Sequence, residues 1–322
     1  MLDFKDLFSR EEQRISEVLA RELDALDDSS QSLVRHTVGA GGKRVRPLLL
    51  VLTGKTLGSE SNELYDLACA VEFVHNATLM HDDIIDDAGT RRGRPAAHKL
   101  FGARRAVMGG DILLSVAMQL GLRQRDLQVM DALAEAVTGT AVGQVREIAS
   151  LGNPALTYDE YMEIITGKTA CLISGACKAG ALKAGAGPEQ VAAAAEFGLE
   201  VGRAFQMVDD ALDVAPENEI GKPTGGDLRE GKFTPVLGFY LETLATDERA
   251  GFESRFAAAG GLSDGEVAAT VKRMRELGCD EQTRVLAQGH LELALAALAR
   301  LPENNFQHGL AKLAEYVVTR NI

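Results

Sequence analysis

Apolar residues recur every three to four positions along most of this chain, in long runs broken by short polar or glycine-containing stretches, which is the period of helices with one buried face. The spacing predicts an opening helix over residues 9–27, with Ser9 and Glu12 at capping-box separation. A short second helix leads to the loop Gly39-Ala-Gly-Gly42, and the next helix opens from Lys43. Asn62 stands at the cap of a central helix, with Glu63 and Asp66 in its first turn. Helices follow over 104–124, 126–150 and 157–183. Thr157 and Glu160 form another capping box, and Pro188 opens a helix over 188–213. Beyond residue 240 only amphipathic helices follow, one of them with a Ser263–Glu266 box. No alternating strand pattern stands out and no break reads as a linker, so the expectation is an all-α chain forming one domain over 1–322.

One run departs from amphipathic design. Val71-Glu-Phe-Val-His-Asn-Ala-Thr-Leu-Met-His-Asp-Asp-Ile-Ile-Asp-Asp87 begins apolar on nearly every side and ends in Asp82, Asp83, Asp86 and Asp87. Residues four apart share a helix face, so Asp82 lines up with Asp86 and Asp83 with Asp87. Like charges so placed repel, and a lone acidic run is usually a solvated helix end. A second copy, Asp209-Asp-Ala-Leu-Asp213, also closes an apolar helical run, through Asp209, Asp210 and Asp213. Each copy is followed by glycines and cations, Thr90-Arg-Arg-Gly-Arg-Pro95 and Gly221-Lys-Pro-Thr-Gly-Gly-Asp-Leu-Arg-Glu-Gly-Lys232. Paired acidic clusters, each with a basic loop, point to a hard cation holding phosphate: Mg²⁺ takes one or two carboxylates plus phosphate oxygens, and Arg and Lys neutralise the rest. Such a site favours departure of a diphosphate.

Composition narrows the classes. With 322 residues and 46% of them apolar the chain can bury a large core, and a net charge of −13 argues against a nucleic-acid partner. No stretch of eighteen uninterrupted apolar residues predicts an integral membrane segment, and the N-terminus lacks a signal peptide's pattern. Cys69, Cys171, Cys177 and Cys279 have neither metal-ligand nor redox spacing and read as small core residues of a cytoplasmic protein. Gly139, Gly143, Gly167, Gly175 and Gly180 fall inside predicted helices. Each costs about 1 kcal/mol relative to alanine, so close helix packing or room for a substrate is the reason to keep them.

At several points the chain resembles the trans-type polyprenyl diphosphate synthases. The resemblance rests on the two Asp-Asp-x-x-Asp motifs, Gly41-Gly-Lys-Arg-Val-Arg-Pro47, Arg91-Arg-Gly-Arg-Pro95, Gly167-Lys-Thr-Ala170, Phe205-Gln206 and Gly221-Lys-Pro, and runs in order from about Gly41 to Arg320. It implies a large helical bundle around a central cavity, working as a homodimer. Its substrates are isopentenyl diphosphate and an allylic diphosphate. By the same resemblance, Lys43, Arg46, His75 and Arg92 grip the isopentenyl diphosphate, while Arg91, Lys168, Thr169, Gln206, Lys222 and Lys232 serve the allylic one. Three Mg²⁺ ions fall to Asp82, Asp83, Asp86, Asp209, Asp210 and Asp213. The allylic substrate ionises, isopentenyl diphosphate attacks, and the departing diphosphate takes the proton. Asp227 matches an extra acid and Arg320 a terminal basic residue, whereas Gln144, ahead of Glu147, stands where the family more often has an acid.

Product length turns on the residues before the first motif. In the family a bulky aromatic there yields short products; here Ala77 and Thr78 are small and Phe73, one turn further up, is the nearest aromatic. Spacing alone fits tight helix packing equally well. The resemblance, closest to octaprenyl diphosphate synthases, favours a hepta- to decaprenyl product for a quinone side chain over a geranylgeranyl or farnesyl one. A class I terpene cyclase would carry Asn, Ser and Glu in its second metal motif, and a non-catalytic partner subunit usually loses one cluster; Asp209, Asp210 and Asp213 oppose both.

Overall fold

The computed structural model describes residues 4–39, 41–42, 44–216 and 224–319, so Lys43, Lys222 and Arg320 lie outside the described residues. The fold is all-α, as the periodicity predicts. The chain divides into two compact units, one of Met1–Val137, Leu172–Gly198 and Leu298–Lys312, the other of Thr138–Cys171, Leu199–Ala297 and Leu313–Ile322. Each is assembled from three separate stretches, so neither could be cut out as one continuous piece.

The first unit opens with α1 (Phe4–Asp24), which starts five residues earlier than the Ser9–Glu12 box predicts. Leu7 joins the buried stripe of Ile15, Leu19 and Leu23, so the helix runs back through Ser9. Helix α2 (Asp28–Val38) is capped by Asp27, whose side chain accepts from the Ser29 and Ser30 N–H groups. Helices α3 (Val45–Thr56) and α4 (Glu63–Ile85) follow. Asn62 precedes α4 as expected but donates no cap: its Oδ1 accepts from Arg14 instead, and Ser61 Oγ accepts from the Glu63 N–H at 3.2 Å. Helix α4 is apolar on almost every side, which suits a central position. It packs against α1, α3 and above all α6 (Ala103–Arg123), which follows the short α5 (Ala97–Phe101). Two glycines set the approach of α6: a methyl at Gly109 would sit 2.6 Å from Met80, and one at Gly110 2.2 Å from His81. By length and composition α6 could cross a membrane; the other described helices do not meet that test.

Between α4 and α5 lies a ribbon too short for any periodicity to predict, Thr90–Arg91 paired antiparallel with Arg94–Pro95. Arg92 and Gly93 form its turn, both with positive φ (51° and 73°), the two-residue turn whose twist suits a hairpin.

Helix α7 (Leu127–Ser150) contributes to both units. The second unit then has α8 (Tyr158–Ile165), started by the predicted Thr157–Glu160 capping box. The expected single helix over 157–183 is interrupted: Thr166–Ala170 form a π turn, with the Cys171 N–H donating to the Thr166 carbonyl, before α9 (Cys171–Lys183). Helix α10 (Pro188–Leu212) ends at the second aspartate motif. Among the described residues the remaining helices are α11 (Gly226–Glu230), α12 (Pro235–Glu242), α13 (Thr246–Phe256), α14 (Asp264–Glu276), α15 (Cys279–Leu298) and α16 (Asn305–Thr319). Helix α14 carries the predicted Ser263–Glu266 box. Leu237, Phe252, Phe256, Val267 and Met274 build an apolar core among α12, α13 and α14, with the Tyr240 and Phe252 rings edge to face at 5.5 Å. The four cysteines are free, and Cys69, Cys177 and Cys279 are buried, as small core residues should be.

Candidate active site

Both aspartate motifs sit at the C-terminal ends of helices, α4 and α10. A helix ends there with a partial negative charge, so acids at that position are disfavoured unless a cation answers them. The two clusters meet this demand differently.

In the first unit, Asp86 ends α4 by donating its N–H to the Asp82 carbonyl at 2.8 Å, so Asp82 and Asp86 keep the predicted common face. Asp83 and Asp87 do not. The helix stops at Ile85 and Asp87 turns left-handed (φ 47°), where its carboxylate pairs with Lys99 and, at 3.5 Å, with His98. Asp83 points inward, 3% exposed at its side chain, and accepts from Arg91 Nε at 2.8 Å and from an Arg91 terminal nitrogen. Arg91, expected on the allylic diphosphate, is thus also the clamp on one aspartate.

Arg46 lies in the first turn of α3, just after Arg44, whose left-handed backbone (φ 44°) opens that helix. Arg46 donates to His75 Nε2 at 3.3 Å. Arginine cannot accept, so this nitrogen is the bare one and the ring's proton sits on Nδ1. Burial, followed by Arg46, Arg92 and Arg91, holds His75 well below its ordinary pKa, and the ring is neutral. The hairpin turn lays the Arg92 guanidinium against the glycine loop: a methyl on Gly42 would fall 2.7 Å from it. Beneath these cations lies an acid that sequence reasoning passed over. Glu72, 5% exposed, accepts from Asn76 Nδ2 at 3.2 Å. Burial raises its pKa, while Arg46, Arg92 and Arg44 pull it back down. Of the chain-length candidates, Phe73 and Ala77 are buried (1% and 0% exposed), and Thr78 Oγ1 bonds back to the His75 carbonyl at 2.8 Å.

In the second unit a cavity of about 70 Å³ gathers Lys168, Thr169, Gln206, Asp210, Asp227 and Lys232. The π turn presents Lys168 and Thr169 to it. A hydrogen-bonded chain runs from Thr169 Oγ1 to Gln206 Oε1 (2.7 Å) and from Gln206 Nε2 to Asp210 Oδ1 (2.9 Å). Tyr161 donates to the other Asp210 oxygen at 2.5 Å. Burial raises the Asp210 pKa to about 7 against the lowering effect of these two donors. Tyr161 was not singled out from sequence; it lies seven residues before Lys168, a spacing that would put the two on one face of an unbroken helix and so could have drawn attention to it. Asp213 accepts from the Gly226 and Asp227 N–H groups at 3.1 and 3.0 Å and so starts α11. Burial, then Asp213 and Asp210, push Asp227 well above the carboxylate range. Asp209 is half-buried on the last turn of α10.

The lysines of this cavity share an acid. Glu147 Oε1 lies 2.5 Å from Lys168 Nζ and 3.6 Å from Lys232 Nζ, and Lys232 also pairs with Glu230. Against the pull of burial, Glu147 and Glu230 raise the Lys232 pKa. Gly143 and Gly167 make this possible: a methyl on Gly143 would meet the Lys168 backbone nitrogen at 2.1 Å, so α7 lies directly on the π turn. Close packing therefore accounts for these two glycines. Gln144 buries both amide atoms with no hydrogen-bond partner among the described residues, and nothing in the structure explains it.

Among the described residues no three His, Cys, Asp or Glu converge into a ready-made metal cage. Mg²⁺ completes its shell with water and phosphate oxygens and does not require an all-protein cage. The donors are hard carboxylates at helix ends already burdened with negative charge, and they fit such an ion.

Comparison with known proteins gives one family, whose members similar to this chain are named for short as well as long products. Residues 27–274 match the polyprenyl synthetase family. The octaprenyl diphosphate synthase of Escherichia coli is 35% identical over 288 residues, covering 89% of this chain and 88% of that protein. The geranylgeranyl diphosphate synthase of Methanosarcina mazei is 36% identical over 295 residues, with 89% and 88% covered. A polyprenyl synthase from Caulobacter crescentus, solved with calcium and isoprenyl diphosphate, superposes with a TM-score of 0.93 at 32% identity, covering 99% of this chain and 97% of that one.

Proposed function

We infer the reaction from one premise: the chain belongs to the polyprenyl synthetase family. It is a prenyltransferase. Our reading is that it joins an allylic diphosphate to isopentenyl diphosphate and builds a long all-trans polyprenyl diphosphate, as used for a quinone side chain. The observation that carries the long product is Ala77, a fully buried small residue five positions before Asp82, with Phe73 a turn further back. A geranylgeranyl product is the second reading, favoured by the similarity to the Methanosarcina enzyme.

In this reading Lys43, Arg46, His75 and Arg92 hold the isopentenyl diphosphate, and the neutral His75 offers its Nδ1 proton to it. Lys168, Thr169, Gln206, Lys222 and Lys232, with Arg91, hold the allylic diphosphate. Asp82, Asp83, Asp86, Asp209, Asp210 and Asp213 supply the oxygens for magnesium, three ions in all. When bound, magnesium contributes Lewis acidity and charge neutralisation at the leaving diphosphate. The ammonium groups of Lys168 and Lys232 neutralise the diphosphate as it departs and keep it close enough to take the proton that ends the reaction. Ile164, Ile165 and Phe233 line the same cavity and limit water near the ionising carbon.

The chain acts as a single synthase domain, a reading supported by the interleaving of its two units. It works as a cytoplasmic homodimer. Exposed Met108, Met118 and Leu122 on α6 are apolar surface of the first unit that such pairing would cover.

The test is incubation with magnesium, farnesyl diphosphate and labelled isopentenyl diphosphate, followed by product sizing. A ladder ending at seven to ten isoprene units is expected, and Ala77→Tyr should shorten it by several units. A wild-type stop at four units sustains the second reading, and no prenyl product at all sinks both.

A further inference from the structure

The cavity of the second unit holds an acid that opposes its purpose. A site that binds diphosphate gains from Lys168 and Lys232, yet Glu147 adds a negative charge between them. All three side chains are well covered (Glu147 16%, Lys168 23% and Lys232 20% exposed), so this is not a loose surface pair. One oxygen, Oε1, faces both ammonium groups, as a phosphate oxygen shared by two lysines would. Its position is fixed by packing: Gly143 and Gly167 press α7 onto the π turn, and Glu147 lies one helical turn beyond Gly143 on the same face. The cavity beside it is lined by Glu147, Lys168 and Lys232 together.

We propose that Glu147 is an internal stand-in for the substrate's phosphate, holding Lys168 and Lys232 together until a diphosphate displaces it. The proposal rests on the reading of these two lysines as diphosphate ligands. Without an anion the two ammonium groups repel; with Glu147 they are held as a pre-formed pair. The arriving diphosphate takes over both lysines, and the displaced carboxylate then stands next to another anion in a partly buried place where screening is weak. Its repulsion lowers affinity for any diphosphate there, the released one included. Glu147 therefore trades affinity for turnover. Glu230, also paired with Lys232 but 46% exposed, is screened by water and shares little of this role.

Glu147→Gln keeps the shape and removes the charge. Isothermal titration with inorganic pyrophosphate and magnesium should show binding about tenfold tighter than wild type, the order expected for removing one like charge at short range in a half-buried site. The KM for the allylic substrate should fall while that for isopentenyl diphosphate stays put, and pyrophosphate should inhibit at correspondingly lower concentration. Glu230→Gln should change affinity by less than about twofold. If Glu147→Gln proves unstable, Glu147→Ala carries the same expectation. Unchanged or weaker pyrophosphate binding in a folded Glu147 variant, with the wild type binding normally, overturns the proposal. Wild-type protein that binds no pyrophosphate overturns the reading of Lys168 and Lys232 first, and the proposal with it.

Discussion

The two Asp-Asp-x-x-Asp motifs are spelled alike and held differently. In the first, the inward aspartate is gripped by a charge, Arg91 on Asp83, and the outermost one, Asp87, by Lys99. In the second, the buried aspartate is held by neutral donors, Tyr161 and Gln206 on Asp210, while Asp213 takes backbone N–H groups. The pKa of a carboxylate follows its partners and its burial more than its motif. Asp210, held by neutral donors among the described residues, is raised to about 7 by burial. Near the second cluster, Lys168 and Lys232 are held on Glu147 instead. A shared motif thus fixes which atoms are brought to a helix end, and their surroundings decide how much charge those atoms carry.

This contrast can be broken by experiment. Arg91→Ala leaves the Asp83 charge buried and unanswered. Allowing for the partial exposure of Arg91, unfolding in urea should reveal a loss of about 3 kcal/mol, largely recovered by adding Asp83→Asn. No recovery in the double variant would mean that Arg91 does not act through Asp83. Tyr161→Phe removes one neutral donor and should cost about 2 kcal/mol. That loss should not change between low and high salt, whereas the Arg91 loss should shrink with salt; equal salt sensitivity would erase the distinction drawn between the clusters.

The smallest effect belongs to His75, among the arginines of the first region. Its folded pKa lies well below 6.5, so above that value the ring is neutral in both folded and unfolded chains. As pH falls below 6.5 only the unfolded chain takes up the proton, and stability is lost. The loss grows as the pH falls further below 6.5, by linkage. His75→Gln should lose less stability than wild type between pH 7.5 and 5.5, measured by thermal melts. Parallel losses would show that His75 is not the group responsible.

What could be read from the sequence was whatever is local along the chain. The Thr157 and Ser263 boxes close over three residues and formed as predicted. The same pattern at Ser9 failed because Leu7 had a buried stripe to join, and Asn62 lost its cap because Arg14, 48 residues away, takes its oxygen. Asp82 with Asp86 followed from helix spacing; Asp83 with Asp87 did not, since the helix ends at Ile85. Family motifs pointed to Lys168, Thr169, Gln206 and Lys232, and the structure brings them to one cavity. Tyr161 on Asp210, Glu72 beneath the arginines and the hold of Glu147 on two lysines depend on contacts between distant segments, which periodicity does not encode.

The π turn at Thr166–Ala170 carries one more consequence. It accommodates an extra residue in the winding, and one residue corresponds to about 100° of rotation in an α-helix. The helix before it and the helix after it are therefore out of phase. Deleting any one residue between Ile165 and Cys171 would restore regular winding and swing either the Tyr161 side or the Leu172 side of the helix away from its neighbours. This short segment should tolerate substitutions better than changes in length, since its phase, more than its composition, aims Lys168.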